Sequence, residues 1–177
     1  MDLEQFVAQS EGHWRSMRSG HSLAFQQFEE VLSEVIIERV NLDDPEVINL
    51  LAAHADQKGS PTAPFRMQWR AESDWEPDDP GAVAEGSCVL VPLLSSSTTG
   101  VLLRSVGYAE KEQAAGQFSF LADGTFLLTT PYGQSIAEER IWFVAENVRC
   151  RSSVLKTSEG SGVLQTSFAS EVRRLSS

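Results

Sequence analysis

QFSFLADGTFLLTTPYGQSIAEERIWFVAENVRCRSSVLKT, residues 117–157, is the stretch that decides the fold. Apolar and polar side chains alternate along it with a period of two, which is typical of strands with one buried face. The pairs Asp123-Gly124, Tyr132-Gly133 and Glu146-Asn147 interrupt the alternation with residues that favour tight turns. The stretch therefore predicts consecutive antiparallel strands over 117–121, 125–132, 135–144 and 147–157.

The rest of the chain continues the strand pattern in both directions. Residues 13–18 and 22–27 are predicted to be extended, with a bend allowed at Gly20, and further strands are predicted over 32–40, 65–72, 86–94, 100–106 and 162–172. About ten short strands in one domain indicate an up-and-down antiparallel β-barrel, with a β-sandwich as the alternative. A barrel of this size is wide enough to hold one small ligand.

Two helices interrupt the strands. Leu3, Phe6 and Val7 have helical spacing, which predicts a short amphipathic helix over 3–10 that ends at Gly12. The run DDPEV at 43–47 offers a capping aspartate and a proline in the first turn, which predicts an inserted helix over about 45–54. We expect residues 1–177 to form one mainly β domain.

Composition excludes several classes of function. The 177 residues have a formal net charge of −11, which argues against nucleic acid and against an anionic membrane surface as partners. Two cysteines are too few for a disulfide framework or a four-thiolate zinc site, and His13, His21 and His54 show no metal spacing. Without a long apolar run or a signal-peptide pattern, we expect a soluble protein in a reducing compartment.

The excess acid is unevenly distributed. Residues 1–99 contain 17 acidic and six basic side chains, whereas residues 100–177 contain eight of each. A solvent-exposed acidic face explains the excess of acidic side chains in residues 1–99 without assigning a function to them.

Three polar side chains share a face of the predicted strand over 147–157. The alternation places Arg149, Arg151 and Ser153 on one side, where two guanidinium groups can bind paired carboxylates. A solvent-facing polar strip explains the same pattern. On the preceding strand, Glu139 shares a face with Ile141, and it is a candidate proton donor or an ion-pair partner of the arginines.

Aromatic residues offer a second set of candidates. Met67 and Trp69 lie on one face of their predicted strand, which suits either core packing or a flat conjugated ligand. Trp75 lies in an acidic, proline-containing loop, and it is a candidate for a ligand lid or a partner surface.

Four segments are distinctive when they are taken together, namely SEGHWRSMRSGHSLAF at 10–25, DDPEVI at 43–48, GYAEKEQAAGQFSF at 107–120 and EERIWFVAENVRCRSSVLK at 138–156. They resemble one known family, the CpcS/CpeS phycobiliprotein lyases. The resemblance extends from about residue 5 to residue 174. It implies a ten-stranded barrel similar to those of lipocalins and fatty-acid-binding proteins.

The resemblance also implies an activity. Such lyases bind an open-chain phycobilin, phycocyanobilin or phycoerythrobilin, as substrate and attach it through a thioether to a cysteine of an apo-phycobiliprotein subunit. The family needs no metal or other cofactor, and it works in the cyanobacterial cytosol or the plastid stroma. A homodimer, or a heterodimer with a paralogue, is a further expectation.

Family roles can be assigned to individual positions. The resemblance implies that Arg149 and Arg151 pair with the bilin propionates and that Glu139 lies near the pyrrole nitrogens. It also implies that Met67, Trp69 and Ser153 lie in the bilin pocket and that Arg18 matches an arginine of the first strand. Trp75 is added to these bilin contacts because of its position in the acidic loop. Two alternatives remain: a carrier that binds a bilin or a fatty ligand without transferring it, and a subunit that needs a paralogous partner.

Overall fold

Strands and short turns make up most of the structure. The computed structural model describes residues 1–71, 85–105, 114–159 and 162–175. Its elements, in chain order, are α1 Leu3–Ser10, β1 Gly12–Ser22, β2 Gln27–Arg39, α2 Pro45–Ala53, β3 Ser60–Pro61, β4 Phe65–Ala71, β5 Glu85–Leu94, β6 Thr99–Arg104, β7 Ala114–Phe120, β8 Phe126–Tyr132, β9 Ser135–Ala145, β10 Val148–Thr157 and β11 Val163–Arg173.

Ten of these strands form a closed antiparallel barrel. Each long strand pairs with the next one along the chain, β11 pairs with β1, and the pairing of β5 with β6 completes the ring. The two-residue β3 pairs with the end of β5. The predicted up-and-down barrel is therefore confirmed, and the sandwich alternative is wrong.

The first hairpin differs from the sequence prediction. Strand β1 continues through Gly20 to Ser22, which pairs with Gln27 across a four-residue turn. The extended segment predicted over 22–27 is therefore wrong. The turn contains Leu23, Ala24 and Phe25, which are not turn-forming residues, and it closes through a positive φ of 52° at Gln26.

Helix α1 closes one end of the barrel, and its bounds match the prediction. Its buried residues Leu3, Phe6 and Val7 pack against inward side chains of β5 to β8, namely Cys88, Leu90, Leu102, Phe118, Phe126 and Leu128. The rings of Phe6 and Phe126 stack with their centroids 4.6 Å apart. The apolar core of the barrel interior thus lies at the α1 end.

Side chains from the adjacent strands β1 and β11 hold the C-terminal end of α1. The indole Nε1 of Trp14 donates to the carbonyl of Ser10 at 2.8 Å, and the Arg173 guanidinium donates to the carbonyls of Gln9 and Glu11. The same guanidinium lies 4.3 Å from the centroid of the Trp14 ring. These contacts satisfy carbonyls that a helix end leaves without partners.

Helix α2 packs on the outside of the barrel. Val47 and Leu50 contact the outward side chains Val89, Val91 and Leu103. Because the inward side chains of β5 are also buried, this strand is covered on both faces, which explains its continuous apolar run. The predicted inserted helix is confirmed, and its Asp44 cap accepts a hydrogen bond from the Glu46 amide at 2.9 Å.

Both described helices, α1 and α2, are short. Within the described residues, no helix has both the length and the apolar character that crossing a bilayer requires.

The packing of α1 against the barrel core predicts that Phe6 contributes to the free energy of unfolding. Replacing Phe6 by alanine removes a buried ring from the stacked aromatic cluster, and we expect the free energy of unfolding to fall by about 3–5 kcal/mol. Urea unfolding followed by tryptophan fluorescence measures this loss. The exposed Ala8→Ser on the same helix is the control, and equal stability of the two variants would contradict the packing described here.

Candidate functional site

The barrel end opposite α1 encloses a cavity of about 260 Å³. Its lining comes from β1, β6 and the strands β8 to β11. It contains cationic, anionic and hydroxyl side chains, in particular Arg18, Arg104, Arg151, Glu139, Tyr132 and Ser153. One half of the barrel interior is therefore apolar and filled, and the other half is open and lined by both polar and apolar side chains.

Strand β10 runs from the filled half to the open half. Arg149, Arg151 and Ser153 point inward, as the alternation predicts, but they lie at different depths. Ser153 is paired in register with Glu139 and lines the cavity with Arg151, whereas Arg149 is only 2% exposed and does not line it. The site thus brings together Arg151, Ser153 and Glu139 and leaves Arg149 beneath them.

Arg149 belongs to a buried ion cluster around Glu171. Glu171, on β11, is 0% exposed and accepts a hydrogen bond from Nε of Arg149. Its other carboxylate oxygen lies 3.1 Å from Nε of Arg151. The Arg149 guanidinium also lies 4.7 Å from the centroid of the Trp14 ring. One carboxylate thus holds both arginines, one below the cavity and one at its wall.

Charge and burial act in opposite directions on Glu171. Burial alone would raise the pKa of its carboxyl, but the guanidinium groups of Arg151 and Arg149, with hydrogen bonds from Arg149 and Ser16, lower that pKa below its ordinary value. Glu171 is therefore a carboxylate at neutral pH. Sequence reasoning missed this residue, although it is the inward acid that faces Arg149 in register.

A second ion pair crosses the cavity. Nη2 of Arg104, at the end of β6, lies 3.3 Å from a carboxylate oxygen of Glu139 on β9. Burial would lower the pKa of Arg104, but the charges of Glu139 and its other neighbours outweigh that effect and raise it. Arg104 was also missed from the sequence, since it ends an apolar strand three strands away from Glu139 in the ring.

Arg18 lies nearer the mouth of the cavity. Its Nη2 is 2.8 Å from Glu29 on the adjacent strand β2. The cavity wall therefore presents three guanidinium groups, from Arg18, Arg104 and Arg151, each held by a carboxylate.

The structure places the aromatic candidates elsewhere. Met67 and Trp69 pack against the apolar core clusters around Phe6 and Trp14 and do not line the cavity. The Trp69 ring lies against Gly86, where an added methyl group would come within 2.2 Å of it. Trp75 lies within 72–84, outside the described residues.

The two cysteines are free and buried. Burial, partly offset by Arg104, raises the pKa of the Cys88 thiol to about 11, so this thiol is not a nucleophile at neutral pH. Among the residues that the structure describes, no three His, Cys, Asp or Glu side chains come together in a way that could hold a metal ion.

Comparison with known proteins identifies the family of this barrel. The sequence model described as CpeS-like protein matches residues 2–174. The chain belongs to the CpeS-like family. Among its CpeS-like relatives, Chromophore lyase CpcS/CpeS 3 of Trichodesmium erythraeum is 47% identical over 98% of this chain and 99% of its own length. Chromophore lyase CpcS/CpeS of Thermosynechococcus vestitus is 41% identical over 98% and 93%.

A solved CpeS structure has the same fold. The S-type phycobiliprotein lyase CPES of Guillardia theta superposes with a TM-score of 0.81 at 39% identity, over 100% of this chain and 95% of that one. The barrel of this CpeS-like chain, with its two helices, is thus the fold of a phycobiliprotein lyase.

The ion cluster of this CpeS-like chain predicts a pH-dependent stability. Replacing Glu171 by glutamine leaves the buried Arg149 guanidinium and the partly buried Arg151 guanidinium without their anion. We expect the free energy of unfolding at pH 7 to fall by about 3–5 kcal/mol. Because the folded pKa of Glu171 is lowered, its contribution is complete above its ordinary pKa and is lost as the pH falls through the folded value.

Urea unfolding at pH 7 and at successive pH values below about 4 measures both effects. The wild type should lose more stability on acidification than Glu171→Gln. Glu30→Gln, at an exposed acid of β2, is the control. If Glu171→Gln and Glu30→Gln gave the same acid dependence, Glu171 would not be the buried anion described here.

Proposed function

We propose that this protein is a chromophore lyase that binds an open-chain phycobilin in the cavity and attaches it to a cysteine of an apo-phycobiliprotein subunit. The proposal rests on one observation, which is that Arg151, Ser153 and Glu139 line the same open cavity. In a member of the CpeS-like family, this arrangement offers a cation for the carboxylates of the pigment and an anion for its pyrrole nitrogens.

Carboxylate binding is assigned to the arginines of the cavity wall. A guanidinium group binds a carboxylate through charge-assisted hydrogen bonds, which are stronger than neutral ones. Arg151 and Arg18 both line the cavity and are the propionate ligands in this proposal. Arg149 has a supporting role instead, because it binds Glu171 and Glu171 in turn holds Arg151.

Glu139 is assigned to the conjugated part of the bilin. It is ion-paired with Arg104, and a carboxylate accepts hydrogen bonds and donates none. Such a group accepts hydrogen bonds from pyrrole N–H groups and stabilises a protonated tetrapyrrole. A protonated tetrapyrrole is the more electrophilic form, so Glu139 favours attack by a thiol.

The reaction itself is an addition. The sulfur of the acceptor cysteine forms a bond to the ethylidene carbon on ring A, the exocyclic double bond is consumed, and the adjacent ring carbon gains a proton in place of the one that the thiol loses. The addition needs no oxidant or reductant. The protein contributes by holding one bilin conformer and by limiting the access of water.

Three further residues that were predicted to line the pocket, Met67, Trp69 and Trp75, are not among the residues that line the described cavity. Met67 and Trp69 belong to the packed core, and we propose that they act by shaping the floor of the cavity. Trp75 stays a predicted bilin contact, since its segment lies outside the described residues.

A transfer assay distinguishes the lyase from the two alternatives. The purified protein is mixed with phycocyanobilin or phycoerythrobilin and with single apo-subunits, and covalent product is detected by zinc-induced fluorescence after denaturing electrophoresis. A fluorescent subunit band supports the lyase. A bilin that binds but never becomes covalent would indicate a carrier, and a band that requires an added paralogue would indicate a dependent subunit.

The proposed role of Glu139 predicts a transfer defect. In Glu139→Gln, the counter-ion is lost while the shape of the side chain is kept, so the transfer rate should fall about 100-fold with little change in bilin affinity. The neighbouring Glu138→Gln is the matched control, because Glu138 pairs with Arg140 on the outer surface. Equal transfer by both variants would remove Glu139 from the mechanism.

The proposed role of Arg151 predicts a binding defect that depends on the pigment's carboxylates. Arg151→Met should weaken binding of the free-acid bilin about 10- to 100-fold, as expected for the loss of a charge-assisted hydrogen bond. Absorption titration measures the affinity, and the bilin dimethyl ester should bind both proteins alike. Arg140→Met is the control, and an equal loss of affinity for the ester would contradict the carboxylate contact.

A further inference from the structure

Arg104 is the most buried of the three guanidinium groups in the cavity wall. Its side chain is 8% exposed, compared with 19% for Arg151 and 23% for Arg18. A carboxylate that enters the cavity from solvent therefore reaches Arg18 and Arg151 more readily than Arg104. The burial of Arg104 points to a partner inside the protein rather than to the pigment.

Apolar side chains lie beside Arg104 on the barrel wall. Arg104 is the last residue of β6 and is paired in register with Leu90 of β5, which is buried in the core cluster around α1. Leu102, two residues earlier on the same face of β6, belongs to that cluster as well. A charge next to an apolar core is unfavourable unless an opposite charge accompanies it. Arg104 therefore needs an anion at the boundary between the filled and the open half of the barrel.

Glu139 is the anion that pairs with Arg104. Nη2 of Arg104 donates a hydrogen bond to Oε2 of Glu139 at 3.3 Å. Strands β6 and β9 are separated in the ring by β7 and β8, so the pair spans the interior instead of joining neighbouring strands. A glutamate side chain has several rotatable bonds, and an ion pair with a buried guanidinium restricts them. Arg104 thus limits where the carboxylate of Glu139 can lie.

We propose that Arg104 is a positioning residue for the transfer reaction, which holds the Glu139 carboxylate toward the pyrrole nitrogens and does not itself contact the pigment. This inference rests on the proposed lyase function, since it concerns how Glu139 acts in that reaction. An unpaired carboxylate beside an apolar core is unfavourable, so without Arg104 we expect the side chain of Glu139 to turn toward solvent. A displacement of about 1 Å from the reactive geometry is enough to lower a rate by about 100-fold.

A double-mutant cycle with Glu139 tests the proposal. Arg104→Met should lower the single-turnover rate of transfer from the bilin-loaded protein about tenfold, with the bilin affinity and the KM for the apo-subunit unchanged. Adding Arg104→Met to Glu139→Gln should cause no further fall in rate, because the group that Arg104 positions is already lost. The absorption spectrum of the bound bilin should change in the same direction in both single variants.

Three further measurements separate positioning from folding. Arg104→Lys keeps the cation and should retain most of the transfer rate. The double variant removes both charges, so its thermal midpoint should lie close to that of the wild type, and its comparison with Glu139→Gln decides the question even if Arg104→Met alone does not fold. Arg140→Met, which removes the ion pair with Glu138 on the outer surface, is the matched control and should transfer at the wild-type rate.

Each other outcome overturns the proposal in a distinct way. A double variant that transfers about 1,000-fold more slowly than the wild type, the product of the two single effects, means that Arg104 acts independently of Glu139. Weaker binding of the free-acid bilin by Arg104→Met, with the dimethyl ester bound normally, makes Arg104 a propionate ligand. Unchanged transfer by Arg104→Met removes its positioning role alone. If the wild type transfers bilin to no subunit, the proposed lyase function itself fails.

Discussion

A carboxylate without solvent contact, placed between two arginines, is the constraint on which the rest of the barrel interior depends. An isolated charge at this depth would be strongly unfavourable, so Glu171 requires both Arg149 and Arg151. The guanidinium groups of Arg149 and Arg173 both lie over the ring of Trp14, and Arg173 donates a hydrogen bond to a carbonyl at the end of α1. Arg151 lies on the cavity side. The cluster therefore connects the helix that closes the barrel with the wall of the open cavity.

This division of the interior gives a strongly acidic protein a cavity whose wall contains cationic side chains. The formal net charge is −11, but the cavity wall contains Arg18, Arg104 and Arg151. Each of these guanidinium groups forms an ion pair with a carboxylate, which fixes its orientation and balances its charge. The proposed lyase reaction needs such orientation more than it needs a strong catalyst, because the thiol addition itself requires only that the reactants are positioned and the pigment is protonated.

The sequence predicted the fold well because its signals are local. Period-two alternation defines strands, and a capping Asp44 followed by Pro45 defines α2, so ten barrel strands and two helices follow from neighbouring residues. The turn at 23–26 was missed because Leu23, Ala24 and Phe25 are not residue types that favour turns. Alternation also gave the correct face for Arg149, but it contains no information about depth along the barrel, so burial of Arg149 was not foreseen.

Ion pairs between residues far apart in the sequence could not be predicted, because the sequence signals are local. The Arg104–Glu139 pair joins residues 35 positions apart on strands β6 and β9, and Arg149–Glu171 joins residues 22 apart on the adjacent strands β10 and β11. Neither pairing has a spacing that marks it in one sequence. The family resemblance supplied the activity, which the fold alone does not determine, because similar barrels serve as ligand carriers.

A crystal structure of the complex with a phycobilin is the most direct measurement of the central claim. The account predicts the tetrapyrrole in the cavity, with a propionate oxygen within hydrogen-bond distance of the Arg151 guanidinium, a pyrrole nitrogen facing Glu139, and Arg149 still bound to Glu171. A bilin bound outside the cavity, or a propionate that displaces Glu171 from Arg149, would contradict it.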